Sequence, residues 1–489
     1  MKRAALATGV FACCLLAGCA VGPNYHRPAA PVPAPDAYKT QAPWRVAAPK
    51  DSLPKGAWWE VFNDPELNGY EQQLLAANQS LLAAKQRLEE ARSLARVASA
   101  GFFPVATVDP NAARTRFSAN QPFFSSPSKA FTNSVYEVPF FLNYEPDLFG
   151  KVRRNMQASN ASLQATAADL YNVQLVLTAE LAADYFSLRE LDAETKVVQE
   201  SVEIQQKGLQ LVESRHAGGV ASGLDVAQQQ TVLDSTVAQL YLVKQQRDQF
   251  EHAIAVLTGN PASSFKVPVR PLTASPVPVP LGVPSDLLER RPDVAAAERQ
   301  MAYQNALVGV AKAAFYPQLT LTGSGGYEGT HLSNLFTTPN AIWSLGGDLL
   351  QPVFEGGRLR ANLALAKQTY DETVANYRET VLEAFQQVED GLSGLAELAQ
   401  AVSRQNAAVD DSRHALEISN HRYVGGVTSY LDVITAQSAL LTNQRLATQL
   451  AGQQMVTEVY LVKALGGGWS ASQIQNQQVH PKAIQAIQQ

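Results

Sequence analysis

The chain has 489 residues, of which 17% are charged and 46% apolar, and its net charge is −5. That balance excludes a wholly disordered chain and gives no reason to expect a nucleic-acid partner. Plentiful Ala and Gln suit long helices packed side by side better than one thick core.

In chain order, Lys2 and Arg3 precede an apolar run from Ala4 to Leu16 that ends in Leu16-Ala17-Gly18-Cys19. Residues 1–18 therefore read as a secretory signal peptide, too short to span a bilayer as a helix. The only cysteines are Cys13, Cys14 and Cys19, so a chain cut before Cys19 has no intramolecular disulfide to form. Residues 19–56 are rich in proline and read as an extended tether. Helical periodicity starts at Asp64-Pro65, where Asp64 is the expected N-cap, and is expected to run unbroken to about Ala100.

Residues 57–260 form a first unit and residues 286–469 a second, joined by a proline-rich connector at 261–285. Each unit shows a helix, two strand-like segments, a very long helix, a Gly-Gly turn and another long helix. The expected strands are 103–118 and 133–146 in the first unit, then 316–329 and 341–353 in the second. Tyr136, Val138, Phe140, Leu142 and Tyr144 alternate with Val135, Glu137, Pro139, Phe141 and Asn143, and Trp343, Leu345 and Leu349 alternate with Ser344, Gly346 and Asp348. Segments of this kind, with one apolar face, fit a transmembrane barrel. A soluble sheet exposed on one side shares the alternation. Four strands cannot close a barrel, which needs about eight, so a barrel built from them requires several chains.

The long helices carry seven-residue ladders. One runs Leu163, Leu170, Leu177, Asp184, Leu191, Val198, Gln205, Val212; the other runs Val374, Val381, Val388, Leu395, Val402, Val409, Leu416, Tyr423. A heptad sustained this long predicts left-handed supercoiling of neighbouring helices. Both ladders end at a duplicated turn: Arg215-His-Ala-Gly-Gly-Val-Ala-Ser-Gly-Leu-Asp-Val226 returns as Arg422-Tyr-Val-Gly-Gly-Val-Thr-Ser-Tyr-Leu-Asp-Val433. Gly218, Gly219, Gly425 and Gly426 are expected to permit positive φ, and Ser222 and Ser429 to cap the outgoing helices. Asp225 and Asp432 then fall in a first helical turn, where a carboxylate is favoured. The Gln-rich tail, 470–489, is expected to be disordered. No later segment is long and apolar enough to span a bilayer as a helix.

Several stretches resemble the outer-membrane efflux channels of tripartite pumps, the TolC and OprM group, and within it the lipoprotein branch named after NodT. They are Cys19-Ala-Val-Gly-Pro-Asn-Tyr-His-Arg-Pro28, Trp58-Trp59-Glu-Val-Phe-Asn-Asp-Pro-Glu-Leu67, Leu287-Leu-Glu-Arg-Arg-Pro-Asp-Val-Ala-Ala-Ala-Glu298 and Gly309-Val-Ala-Lys-Ala-Ala-Phe-Tyr-Pro317. The resemblance implies a mainly α chain with a transmembrane β-barrel: a homotrimer, four strands per subunit in a shared twelve-stranded barrel, and coiled-coil helices forming a periplasmic tunnel. It implies a lipid-anchored position in the outer membrane, with N-acyl and diacylglycerol lipid on Cys19 and no other cofactor or metal. The partners it implies are a periplasmic adaptor, an inner-membrane pump of the RND type and outer-membrane lipid.

By the same resemblance, Asp432, Leu431, Tyr423 and Arg422 belong to the periplasmic aperture and its gate. Gly218, Gly219, Val220, Ser222, Gly425, Gly426, Val427 and Ser429 belong to the tip where the adaptor docks. A second acidic ring found in one family member is absent here, since that position is Thr435. Arg215 is a further latch candidate. The alternatives are the channel of a type I secretion system, or a coiled-coil envelope lipoprotein without a pore. An enzyme is disfavoured because no nucleophile, metal-ligand or phosphate-loop motif is present. Asp410, His414 and His421 share a helical stripe, but such residues are commonly a solvated face.

Overall fold

The computed structural model describes residues 20–27, 56–119, 129–273, 290–474 and 476–480. The signal peptide, Cys19, tether residues 28–55, connector residues 274–285 and residues 286–289 of the second unit lie outside that range. The first half contains α1 (Pro65–Ala77), α2 (Gln79–Ala100), β1 (Val105–Val108), β2 (Asn111–Phe117), β3 (Phe131–Tyr144), α3 (Lys151–Ala217) and α4 (Gly223–Leu257). The second contains α5 (Pro292–Ala313), β4 (Gln318–Gly329), β5 (Ala341–Leu350), α6 (Arg358–Val424) and α7 (Tyr430–Ala464).

The duplication extends far beyond the turn. Both α3 and α6 have 67 residues, both α4 and α7 have 35, and α6 and α7 each start 207 positions after their counterparts (Lys151 to Arg358, Gly223 to Tyr430). Glycines in the left-handed region start both long helices, Gly150 at φ 85° and Gly357 at φ 91°. At 1.5 Å per residue each long helix is about 100 Å, several times the depth of an ordinary core. No position of either heptad ladder is exposed, so the repeat marks the packed seam. The long hairpins lie side by side in the order α4–α3–α7–α6, with α2 and α5 against α3, and α5 also against α6. Among the described residues no helix is long and apolar enough to cross a membrane.

The expected single helix from Pro65 to Ala100 is in fact two. Asp64 caps the first by accepting from the Glu66 and Leu67 amides. Asn78 is extended (φ −64°, ψ 123°) and its side chain accepts from the Leu81 amide at 2.9 Å while donating to the Leu257 carbonyl at 2.9 Å. One residue thus caps α2 and satisfies the end of α4, and these bonds outweigh continuation of the helical pattern.

The main core lies where Trp58, Trp59 and Phe62 pack against Tyr185, Phe186 and Leu188 of α3. The Trp58 indole N–H donates to Thr178 Oγ1 at 3.1 Å, which satisfies its polar end. Nearby, Glu71 on α1 is completely buried, and neither carboxyl oxygen has a hydrogen-bond partner among the described residues. Burial pushes its carboxyl well above the usual carboxylate range. The folded state therefore holds the Glu71 proton more tightly than the unfolded chain. Its stability is greatest below the unfolded pKa and falls as pH rises toward the folded value, by about 1.4 kcal/mol per pH unit. Glu71→Met is expected to raise the melting temperature at pH 7 and to flatten its decline between pH 5 and 7, as thermal melts across that range would register.

β3, β4 and β5 pair antiparallel in that order, and β1 and β2 both pair with β3 on its other side. β1 and β2 make one strand interrupted at Asp109-Pro110, in agreement with the four expected segments. The register sets Val138 opposite Tyr327, Phe140 opposite Gly325, and Leu142 opposite Gly323; across the next pair Gly323 faces Leu345 and Gly325 faces Trp343. Directly opposed residues share a face, so the apolar sets of all three strands merge into one surface. The other face carries Glu137 against Glu328, Asn143 against Thr322, and Thr320 against Asp348. Trp343 is 78% exposed and Leu345 79%, so the apolar face is uncovered in a single chain.

Two expected loose ends are ordered. Residues 20–27 are not a free tether. Buried Arg154 donates to the Val21 and Gly22 carbonyls and to Asn24 Oδ1, Tyr25 donates to Glu298 Oε1 at 3.0 Å, and Arg27 donates to the Tyr377 hydroxyl. A Cβ on Gly309 would fall within 3.0 Å of the Arg154 side chain, so only glycine admits the strap there. The strap crosses α3, α5 and α6 and thereby staples the two halves. The start of the Gln-rich tail is also packed: Ile474 and Val479 are buried, and Val479 exchanges backbone hydrogen bonds with the Asn160 side chain. A few buried apolar anchors outweigh the polar composition that suggested disorder; residues 481–489 lie outside the described range.

Candidate functional site

The two hairpin turns sit at the same end of the layer, and their backbones match. Gly219 and Gly426 both have φ 75°. Val220 N donates to the Arg215 carbonyl at 2.8 Å and Gly219 N to the His216 carbonyl at 2.9 Å; Val427 and Gly426 repeat this with Arg422 and Tyr423 at 2.9 and 3.0 Å. This is the Schellman arrangement, which closes a helix with one left-handed residue. Only the second glycine of each pair needs positive φ. Gly218 and Gly425 are right-handed helical caps and do not use the positive φ that all four glycines were expected to permit.

Beyond the turn the copies diverge. Ser222 and Asp225 form a full capping box: Ser222 Oγ accepts from the Asp225 amide at 3.2 Å, and the Asp225 carboxylate accepts from the Ser222 amide at 2.9 Å. Ser429 occupies the N-cap position of α7, but its side chain makes no capping bond, contrary to expectation. Asp432, the counterpart of Asp225, is exposed and has no side-chain hydrogen bond or ion pair among the described residues. One carboxylate is committed to local structure and the other is not. Thr435, one turn on, donates its hydroxyl to the Leu431 carbonyl at 2.8 Å.

Between the turns, Arg215 reaches across to the second hairpin. Its guanidinium donates to the Tyr423 carbonyl at 3.1 Å and the Val424 carbonyl at 3.3 Å, and lies 4.6 Å above the Tyr423 ring. These carbonyls belong to the last turn of α6, which has no intrahelical donors and attracts a cation. Tyr423 is buried and meets buried Tyr430 edge-on at 4.8 Å. Burial first, and then Tyr423, push the Tyr430 hydroxyl up to about 12. Tyr430 closes against Gly208 of α3, where an added Cβ would lie 2.5 Å from its hydroxyl. The structure therefore joins Tyr423 to Arg215 rather than to Arg422, which is exposed. Tyr430 and Gly208 were missed by sequence reasoning. Their signal was the one bulky replacement in the repeat, Tyr430 for Gly223.

Several apolar side chains are exposed at the tip. Val220 is 73% exposed, Val427 70%, Leu224 65% and Leu431 50%. Farther from the tip, the three polar residues on the second long helix stay on its open face: Asp410 pairs with Arg413 at 2.8 Å and His414 lies 3.8 Å from Glu417. No group of acidic, His or Cys residues that could hold a metal occurs among the described residues.

Two stretches, residues 71–260 and 283–467, match the family described as outer membrane efflux protein. The solvent efflux pump outer membrane protein SrpC of Pseudomonas putida is 34% identical over 469 residues, covering 95% of this chain and 98% of that one. Outer membrane protein OprJ of Pseudomonas aeruginosa is 31% identical, covering 93% of this chain and 94% of its own. Among solved structures, the outer-membrane channel OprN superposes with a TM-score of 0.83 at 30% identity, covering 92% of this chain and all of that one. The CmeC channel of Campylobacter jejuni has the same fold, with a TM-score of 0.86 at 24% identity over 96% of this chain and 98% of its own.

Proposed function

The chain belongs to the outer membrane efflux protein family and is an outer-membrane efflux channel, and from that premise we propose that three copies build one continuous export duct. The observation that carries this reading is the mismatch between equivalent faces. Ala158 and Leu175 on α3 are 1% and 9% exposed, whereas their counterparts on α6, Leu365 and Leu382, are 63% and 45% exposed. Tyr241 and Leu242 lie equally open on α4 at the opposite edge of the layer. Apolar residues left open on both edges of a four-helix layer call for the α6 edge of one copy to meet the α4 edge of the next. The sheet ends in the same way, with β5 and the β1–β2 strand unpaired on their outer sides. Three four-stranded sheets closing edge to edge give a twelve-stranded barrel.

In this assembly the merged apolar face of the strands meets lipid and the polar face lines the lumen. The strap fixes residue 20 beside Gly150 at the base of the sheet, so lipid on Cys19 enters the membrane close to the barrel wall. At the other end, three copies of Asp432 form a carboxylate ring at the mouth and Leu431 narrows it. Val220, Leu224 and Val427 offer their apolar side chains at the tip to a periplasmic adaptor, which connects the duct to an inner-membrane pump. The duct conducts passively, and the pump selects the cargo. Relatives are named for solvent, toluene, pyoverdine and antibiotic efflux, and we take small organic compounds as the cargo here.

A cell deprived of its own channel tests this reading. Expression of this chain with its adaptor and pump is expected to lower accumulation of a fluorescent pump substrate to wild-type levels. Undiminished accumulation, with all three proteins present in the envelope, would overturn it.

A further inference from the structure

We propose that Arg422 makes, across the boundary between neighbouring copies, the contact that Arg215 makes within the chain. This inference rests on the assembly described above, and its starting point is the internal repeat. The two hairpins correspond at a constant spacing of 207 residues, down to the φ of 75° at Gly219 and Gly426. Within the chain, the first hairpin meets the second through α3 and α7, and Arg215 caps the last carbonyls of α6. When the ring closes, the second hairpin stands to the first hairpin of the next copy as the first stands to the second. The residue that then occupies the place of Arg215 is Arg422.

Arg422 is suited to that role. It is exposed and has no hydrogen bond or ion pair among the described residues, although it begins the same turn as Arg215. The carbonyls equivalent to those of Tyr423 and Val424 are on the partner subunit's His216 and the partner subunit's Ala217. They end a helix and attract a cation for the same reason.

The two contacts differ in one respect. Arg215 lies over a phenol ring, whereas the ring in the equivalent place is an imidazole. Tyrosine offers a guanidinium a stronger π face, so the contact between copies is the weaker of the two.

Paired cysteines in the full-length protein in membranes test this directly. Oxidation of the His216→Cys/Arg422→Cys variant is expected to give covalent dimers and trimers on a denaturing gel, removed by reductant. The Arg215→Cys/Val424→Cys variant is expected to close within single chains and stay at monomer size. Each single-cysteine variant serves as a background for Cys19. If the protein is trimeric in detergent by light scattering, yet the 216/422 pair gives no interchain product while the 215/424 pair closes, the Arg422 contact is refuted and the assembly stands. If the protein is monomeric in detergent and no interchain product forms, both are refuted.

Discussion

Replacing Asp192 by Ala is expected to destabilise the folded chain by about 3 kcal/mol, because it leaves buried cations without their shared counter-charge. The Asp192 side chain is 1% exposed and joins three elements. It accepts from Arg189 of its own helix α3 at 3.1 Å, from Arg247 of α4 at 2.9 Å, and from the Arg270 amide of the connector at 2.9 Å. Arg189 is almost as deeply buried, with 2% of its side chain exposed. Residual partners keep the loss at the lower end of the range for a broken buried pair: Glu66 lies 2.7 Å from Arg189, and Glu251 lies 2.6 Å from Arg247. The contrast is Asp410→Ala on the open face of α6, whose exposed pair with Arg413 is worth at most about 1 kcal/mol. Urea unfolding of the two variants side by side checks the ranking. Equal losses would show that the cluster does not hold α3, α4 and the connector together.

Asp432→Ala has the largest expected effect on transport, because its carboxylate is unspent and three copies would converge on the mouth. In planar bilayers, the reversal potential across a salt gradient is expected to shift toward zero as cation preference is lost. Asp225→Ala is the control from the other copy of the turn. Its carboxylate belongs to a capping box, so the substitution is expected to cost about 1 kcal/mol of stability and to leave the reversal potential unchanged. If Asp225→Ala shifted the potential and Asp432→Ala did not, the assignment of the two carboxylates would be reversed.

Much of this was legible in the sequence because it is periodic. The heptad ladders, the alternation in β3 to β5 and the duplicated turn all concern which face a side chain takes, and a regular backbone turns position into face. What was not legible depends on contacts between distant residues. The break at Asn78 needs the Leu257 carbonyl, 179 residues away in the chain, to receive its side chain. The strap at residues 20–27 needs Arg154 and the bare surface of Gly309, and the composition around it suggested only an extended tether. The packing of Val479 depends on one asparagine of α3. At the turns, Asp225 and Asp432 occupy equivalent positions in near-identical text, and the difference between them lies in whether the serine three residues earlier completes the box.

As a trimer, this chain is expected to be a conducting duct in its own right. Reconstitution of the purified protein in a planar bilayer, with its mass in detergent measured on the same preparation, tests that most directly. A trimer that gives discrete, cation-preferring conductance steps is expected. A well-folded trimer that inserts and carries no current, or a monomer that conducts alone, would contradict it.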